Sequence, residues 1–344
     1  MPGALQRPAV VSRMSDLIGC TPLLELATTG TGSRLLLKLE MFNPTGTAKI
    51  RMARQMVTDA EARGELRPGG RIVESTSGNT GLGLAVIAAE RGYTFTAVVD
   101  HHACTDKLRA MKALGTELVH VVDDGTGELA TAAREELAED LARGRDNTVF
   151  TEQHNNPSNG IGYFPVAHEL AEALDGRLDV LIGAVGTGGA LCGTTRELRA
   201  LIPPFTAIGV EPKGSIAFGG PAHDYYQSGT GTPEGAPVGA LVDFDLIDEG
   251  VKVGDIEAFA TCRAVARTGL LIGGSAGGVV HEALTRLSFL PPGTTMVALV
   301  NDGGEKYLDT VFNDDWMRAR SLLDPAAERE IEELLTKLRR SRGR

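Results

Sequence analysis

The sequence predicts an α/β fold of mostly parallel sheets flanked by helices, and three observations carry that prediction. Short apolar runs alternate with helix-spaced segments along most of the chain. Glycine, at 43 of 344 residues, gathers where an apolar run ends and a helical segment begins, while aromatic residues make up only 5%. That composition suits tight strand-to-helix turns better than an all-β sandwich. Some apolar runs, such as 95–99, lack polar alternation, as strands covered on both faces do.

The elements follow in order. RLLLKL at 34–39 reads as a strand, and a turn at 43–46 separates it from helical spacing over 50–63, stopped by Gly64 and by 68–70. A short strand at 71–74 enters the polar loop STSGNTG, and a helical run at 82–91 ends at Gly92. Next come a strand at 95–99, a helix at 107–114, a strand at 117–122 and a helix at 129–143. Beyond a loop at 151–162 the pattern resumes with a helix at 166–174, a strand at 178–185 that leads into GTGGALCG, and a strand at 207–210 that opens into EPKGS. Residues 221–238, rich in Gly, Pro and Ser, read as a surface excursion. A helix at 257–268, an apolar strand before GGSAGG, a helix at 278–287 and a strand at 295–300 follow. The charged helix at 326–344 reads as a solvated or oligomer-facing tail. The alternation predicts right-handed βαβ units, and no solenoid repeat is present.

Length and hydrophobic content allow two domains or one large unit. A net charge of −11 without a basic stripe argues against nucleic acid or an anionic membrane as partner. Cys20, Cys104, Cys192 and Cys262 are scattered without CxxC spacing, as in a reducing compartment. Residues 1–15 lack the apolar stretch of a signal peptide, and no apolar run reaches the roughly 20 residues that span a bilayer. The expectation is a soluble, cytoplasmic protein.

Four stretches carry chemistry. In NPTGTAKIR, Lys49 stands at a helix start, where the macrodipole and desolvation lower an amine's pKa and favour attack on an aldehyde. A lone lysine there is otherwise an ordinary surface residue. In ESTSGNTGLGLA, Ser75, Thr76, Ser77, Asn79 and Thr80 crowd one turn before a helix and offer donors to an anion such as a carboxylate. A plain capped loop is the alternative. GTGGALCG, after an apolar strand, is either a phosphate cradle or a structural glycine turn; it is neither a Walker loop nor a clean GxGxxG. In GLLIGGSAGG, Ser275 is a nucleophile or a hydrogen-bond partner, and no GxSxG elbow supports a hydrolase. His101, His102, Cys104 and Asp106 lack a matching second ligand pair and read as an ordinary loop, so no metal is expected.

NPTGTAK, TSGNTG, GTGGAL, GVEPKGS, GGSAGG and NDGGEKYL occur in this order between Ile18 and Trp316. The combination resembles the cysteine synthase/cystathionine β-synthase family of fold-type II pyridoxal 5'-phosphate (PLP) enzymes. The resemblance implies a tryptophan synthase β-like architecture, with a smaller mobile domain over 43–152, a larger one from 1–42 plus 153–322, a charged tail over 323–344, and a homodimer. It implies that Lys49 carries PLP, that Asn79 meets the cofactor's 3′ oxygen, that Gly186, Thr187, Gly188 and Gly189 hold its phosphate, and that Ser275 partners its ring nitrogen. Ser77, Asn79, Thr80 and Gln153 match the groups that hold a substrate α-carboxylate.

The implied reaction is β-replacement on serine, O-acetylserine or O-phosphoserine through an aminoacrylate, with sulfide, another thiol or an amine as nucleophile. EPKGS, GGSAGG and YLDTVFNDDWM look more like cystathionine β-synthase and N-(2-amino-2-carboxyethyl)-glutamate synthase, the enzyme that leads to 2,3-diaminopropionate, than like plain cysteine synthases. Alternatives are a serine or threonine β-eliminating dehydratase and, outside catalysis, a PLP-binding regulatory homologue. The chain departs from the family pattern at Ile50 (commonly Asp), at Ala190 (commonly Thr) and in VGALVDF at 238–244.

Overall fold

A computed structural model describes residues 10–76, 78–100, 105–121 and 131–340. The chain runs β1 Leu23–Thr28, β2 Arg34–Leu39, α1 Lys49–Ala62, β3 Arg71–Ser75, α2 Asn79–Arg91, β4 Thr94–Val99, α3 Thr105–Ala113, β5 Glu117–His120, α4 Thr131–Ala142 and β6 Thr148–Phe150. It continues with α5 Pro157–Ile161, α6 Phe164–Ala173, β7 Val180–Ala184, α7 Gly189–Leu201, β8 Thr206–Pro212, β9 Glu249–Val253, α8 Asp255–Ala266, α9 Gly274–Leu287, β10 Thr295–Val300, α10 Asp314–Ala319 and α11 Pro325–Arg340. Two sheets result, a six-stranded one in the order β1-β2-β10-β7-β8-β9 and a four-stranded one in the order β5-β4-β3-β6. All pairings are parallel except β1 with β2.

The unbroken apolar runs reflect a sheet covered on both faces. Successive side chains of a strand point to opposite sides. Leu36, Leu181, Val297 and Leu299 therefore join one core with α1, α2, α6 and α7, whereas Leu35, Leu37, Ile182, Met296 and Ala298 join a second with α8, α9 and α11. Each fully buried aliphatic side chain contributes about 1.5–3 kcal/mol. Small residues let the site-bearing helices approach: a Cβ on Gly83 of α2 would lie 3.0 Å from the Ile50 Cα of α1. One on Gly193 of α7 would lie 2.2 Å from the Gly160 carbonyl of α5, a gap no larger residue could share.

Several expectations need correction. No strand precedes GGSAGG; Ile272 makes only an isolated bridge to Gly303, because the chain here already turns toward the helix. That helix begins at Gly274, so Ser275 lies inside its first turn rather than in a loop before it. The stretch 221–238 is not simply a surface excursion. Gln227, Thr230 and Thr232 are buried, and Thr230 Oγ1 and Gly231 N donate to the Val185 carbonyl at 2.8 and 2.7 Å. Composition marked the lack of regular structure but not these polar anchors. Nor is the C-terminal helix a solvated tail: Ile331, Leu335 and Leu338 enter the second core, while Arg263 of α8 and Arg267 just after it both pair with Glu328 of α11. Strands β1, β6 and β9 escaped the sequence reading because β6 has three residues and β1 and β9 are edges with exposed positions, which weaken an apolar signal.

Candidate active site

Four helices begin at the residues singled out by sequence. Lys49 is the first residue of α1, Asn79 and Thr80 open α2, Gly189 opens α7, and Ser275 is the second residue of α9. At none of the four does the N-cap residue's own side chain cap the helix, whereas Asn156 and Asn313 do so for α5 and α10; upstream hydroxyls take one first-turn N–H each at α1 and α2, Thr47 Oγ1 from Lys49 N at 3.3 Å and Thr76 Oγ1 from Gly81 N at 3.1 Å. First-turn N–H groups have no acceptor within their own helix, so each of these ends presents donors and a partial positive charge.

Two threads of hydrogen bonds tie the four ends together. In the first, Asn79 Nδ2 donates to Asp302 Oδ2 at 2.8 Å. The Asp302 carbonyl accepts from Gly273 N, the residue before α9, at 3.1 Å, and Asp302 bridges to Thr47 just before α1. In the second, Thr80 Oγ1 donates to Gln153 Oε1 at 2.6 Å. Asn159 Nδ2 then donates to the Gln153 carbonyl at 2.6 Å and to Thr187 Oγ1 at 3.2 Å, at the foot of α7. The structure therefore brings Lys49, Asn79, Thr80, Gln153, Thr187, Gly189 and Ser275 into one neighbourhood. Ser77 lies outside the described residues, as do His101, His102 and Cys104. Among the described residues no group of three or more His, Cys, Asp or Glu is placed to hold a metal ion.

The electrostatics suit an amine that must be neutral part of the time. Burial pulls Lys49 down to about 8, against the opposing pull of the Glu74 and Asp302 charges. Burial also pushes Glu74 up to about 8, although Thr151 Oγ1 donates to it at 2.6 Å. Among the described residues, nothing hydrogen-bonds Lys49 Nζ or Ser275 Oγ.

At the glycine loop, Gly188 adopts φ +85° and Gly189 leaves its Cβ position 2.1 Å from Asn159 Oδ1. A side chain at Gly188 would meet the Leu241 carbonyl at 2.5 Å and one at Gly189 would meet Asn159, so this turn takes glycine at both positions. A free lysine amine, an uncapped glycine-lined helix end and a free serine hydroxyl are the groups that an aldehyde, a phosphate and a ring nitrogen require, so the residues present fit PLP.

Sequence reasoning missed Asp302, Lys306, Tyr307, Glu74 and Asn159. For the first three a signal existed, since NDGGEKYL was conspicuous as a motif without an assigned role.

The family model described as "Pyridoxal-phosphate dependent enzyme" matches residues 14–302. The chain belongs to this family of PLP-dependent enzymes. A putative cysteine synthase from Sinorhizobium fredii is 47% identical over 93% of this chain and 96% of its own length. Cystathionine beta-synthase from Apis mellifera is 34% identical over 91% of this chain, which spans 64% of that longer protein. Among solved structures, an O-acetylserine dependent cystathionine beta-synthase from Helicobacter pylori superposes with a TM-score of 0.79 at 29% identity, covering 88% of this chain and 99% of that one. The PLP-dependent fold accounts for the two sheets and for a site assembled from helix N-termini at the carboxyl ends of parallel strands.

Proposed function

We propose that this PLP-dependent enzyme catalyses β-replacement. It takes serine, O-acetylserine or O-phosphoserine and exchanges the Cβ substituent for sulfide, another thiol or an amine. The observation that carries the reading is the meeting of four helix N-termini around Lys49, whose amine has no hydrogen-bond partner among the described residues and is of lowered pKa. Relatives named for cysteine synthesis and for O-acetylserine-dependent synthesis support a serine-derived donor.

PLP, when bound, supplies an aldehyde for amines to condense with and an electron sink that acidifies the Cα–H of an attached amino acid. The chain's residues do the rest. Lys49 holds the cofactor and, when released, takes the Cα proton on Nζ and later returns it. Gly186, Thr187, Gly188 and Gly189 hold the phosphate at the α7 N-terminus, where Ala190 adds a backbone N–H but no hydroxyl. Ser275 partners the ring nitrogen as a neutral group, which suits loss of a β-substituent better than chemistry needing a fully protonated ring. Asn79 faces the ring oxygen. Asn79, Thr80 and Gln153, with Ser77, hold the donor's α-carboxylate at the positive end of α2. Residues 43–152 form the smaller, mobile domain, whose closure excludes water from the reacting carbon. The working unit is a homodimer, a reading that rests on family resemblance, and its compartment is the cytoplasm, a reading that rests on four scattered cysteines without CxxC spacing; the described residues include no helix long and apolar enough to cross a membrane.

The test is an absorption scan of the PLP-loaded protein with each donor in turn, followed by product analysis with sulfide, homocysteine and an amino-acid amine. A Lys49-dependent visible band that one donor shifts, and one nucleophile restores with formation of the β-substituted product, is the expected result. Release of pyruvate or a 2-oxo acid without use of any nucleophile would replace β-replacement by elimination. A loaded protein that consumes no donor would turn the reading toward a PLP-binding regulatory homologue.

A further inference from the structure

The segment following β10, 301–307, places three polar side chains, Asp302, Lys306 and Tyr307, around one amide. Asn79 Nδ2 donates to Asp302 Oδ2 at 2.8 Å, and Lys306 Nζ donates to Asn79 Oδ1 at 3.1 Å. The same ammonium donates to the Gly46 carbonyl at 3.0 Å, so it also grips the loop that leads to Lys49. Tyr307 OH donates to Asp302 Oδ2 at 2.7 Å and is buried, as is Asp302. Burial and the Asp302 charge hold the phenol protonated and therefore a donor.

An amide offers two N–H donors and a carbonyl acceptor. Here a cation holds the oxygen and a carboxylate holds one N–H. Turning the amide over would set its NH2 against an ammonium and its oxygen against a carboxylate, so the orientation is fixed by charge. One N–H of Asn79 remains for a ligand.

We propose that Lys306 and Asp302 are positioning residues that act through Asn79: they aim its remaining N–H at the cofactor's ring oxygen and set how far that oxygen carries negative charge when PLP is bound. The inference rests on the placement of Asn79 in the proposed function. Other charged or titratable groups near the same residues include Lys49 from α1, Glu74 from β3, Lys107 from α3, Cys262 from α8 and Tyr307. All are left intact in the variants below.

The experiment reads the PLP-loaded protein at fixed pH, as the ratio of the longer-wavelength absorption band, whose ring oxygen is anionic, to the shorter-wavelength band of the neutral form. Lys306→Met is expected to lower the ratio by about 2- to 12-fold, the range of one hydrogen bond's net contribution. Lys306→Arg, which keeps charge and donors, is expected to restore it. Lys306→Met introduced into Asn79→Ala is expected to add no further change, because a residue acting only through Asn79 has nothing left to act on. An unchanged ratio in Lys306→Met, or full additivity with Asn79→Ala, overturns the inference. Circular dichroism of each variant checks folding; if Lys306→Met does not fold, Lys306→Leu, which likewise removes both the charge and the donors, takes its place with the same expected fall. A visible band independent of Lys49 would instead sink the cofactor reading itself, so the two failures are distinguishable.

Discussion

Arg51 and Glu40 form a buried bidentate ion pair, Nε to Oε2 at 2.6 Å and Nη2 to Oε1 at 2.9 Å, with each residue 1% exposed. Glu169 of α6 accepts from Arg51 Nη1 at 2.8 Å and from Lys38 of β2 at 2.5 Å, so two cations and two carboxylates balance inside the protein. The cluster fastens α1, two residues past Lys49, to the six-stranded sheet and to α6. Removing Arg51 strands the Glu40 carboxylate without water. Arg51→Met is expected to cost about 3–5 kcal/mol in urea unfolding, well above the loss of a surface pair. A cost below about 1 kcal/mol would show that the cluster does not anchor α1.

Lys49 makes the apo protein pH-sensitive in a definite direction. Its folded pKa, near 8, lies below the ordinary 10.5 because of burial, so between those values the folded chain holds fewer protons than the unfolded one. As far as this group is concerned, stability rises with pH through that window, and below it the full cost of burying the charge is present. Lys49→Met should therefore stabilise the apo protein at pH 7 by up to about 3 kcal/mol, an advantage that fades toward pH 10.5. Capture of PLP by the wild-type apo protein should speed up with pH and level off near 8. A midpoint above 10 would mean that the amine is not desolvated. Glu74, pushed up to about 8, contributes oppositely between pH 4.5 and 8, where the folded chain holds more protons and stability falls as pH rises. Thermal melts of Glu74→Gln and Lys49→Met separate the two windows.

Much of this site was legible because its residues mark chain junctions. Lys49, Asn79, Gly189 and Ser275 stand where glycine-rich or polar turns become helices, and such turns are conspicuous in sequence. What escaped was side-chain partnership across long separations. Asp302 meets Asn79 across 223 residues, and Asn159 meets Thr187 across 28. Nothing local in DGGEKY or PSNG announces which buried amide each will satisfy. The same holds for α11: its charges are plain, but the apolar face formed by Ile331, Leu335 and Leu338 is masked by the acids and bases between them.

The glycine loop should tolerate no Cβ at two adjacent positions. Gly188 combines φ +85° with a Cβ site 2.5 Å from the Leu241 carbonyl, so alanine there meets both backbone strain and a rigid neighbour. At Gly189 the neighbour is Asn159 Oδ1 at 2.1 Å, and Asn159 is wholly buried and already committed to Gln153 and Thr187. Gly188→Ala is expected to destabilise by about 1–3 kcal/mol and to lose bound PLP on dialysis. Gly189→Ala should break the thread through Asn159 as well, weakening donor binding along with phosphate binding. PLP stoichiometry after dialysis, beside a thermal melt of the apo forms, checks both. Full retention in Gly188→Ala would move the phosphate elsewhere.

Thr80 and Gln153 provide a finer test, because they separate substrate binding from cofactor binding. Thr80 Oγ1 donates to Gln153 Oε1 at 2.6 Å, which leaves the Gln153 amide nitrogen to donate to the Ser75 carbonyl at 3.2 Å. Both residues are buried at the start of α2, and among the described residues neither side chain hydrogen-bonds to 186–189. Thr80→Val keeps the shape of the side chain and removes its hydroxyl. One hydrogen bond's worth of positioning, about 0.5–1.5 kcal/mol, corresponds to a roughly 2- to 12-fold weaker donor affinity. The visible band of the loaded enzyme should be unchanged before any donor is added, since the cofactor's anchors at Lys49 and 186–189 are intact. Titrating that band with O-acetylserine and O-phosphoserine measures the shift. An altered resting spectrum with unchanged donor affinity would place Thr80 against the cofactor rather than the α-carboxylate.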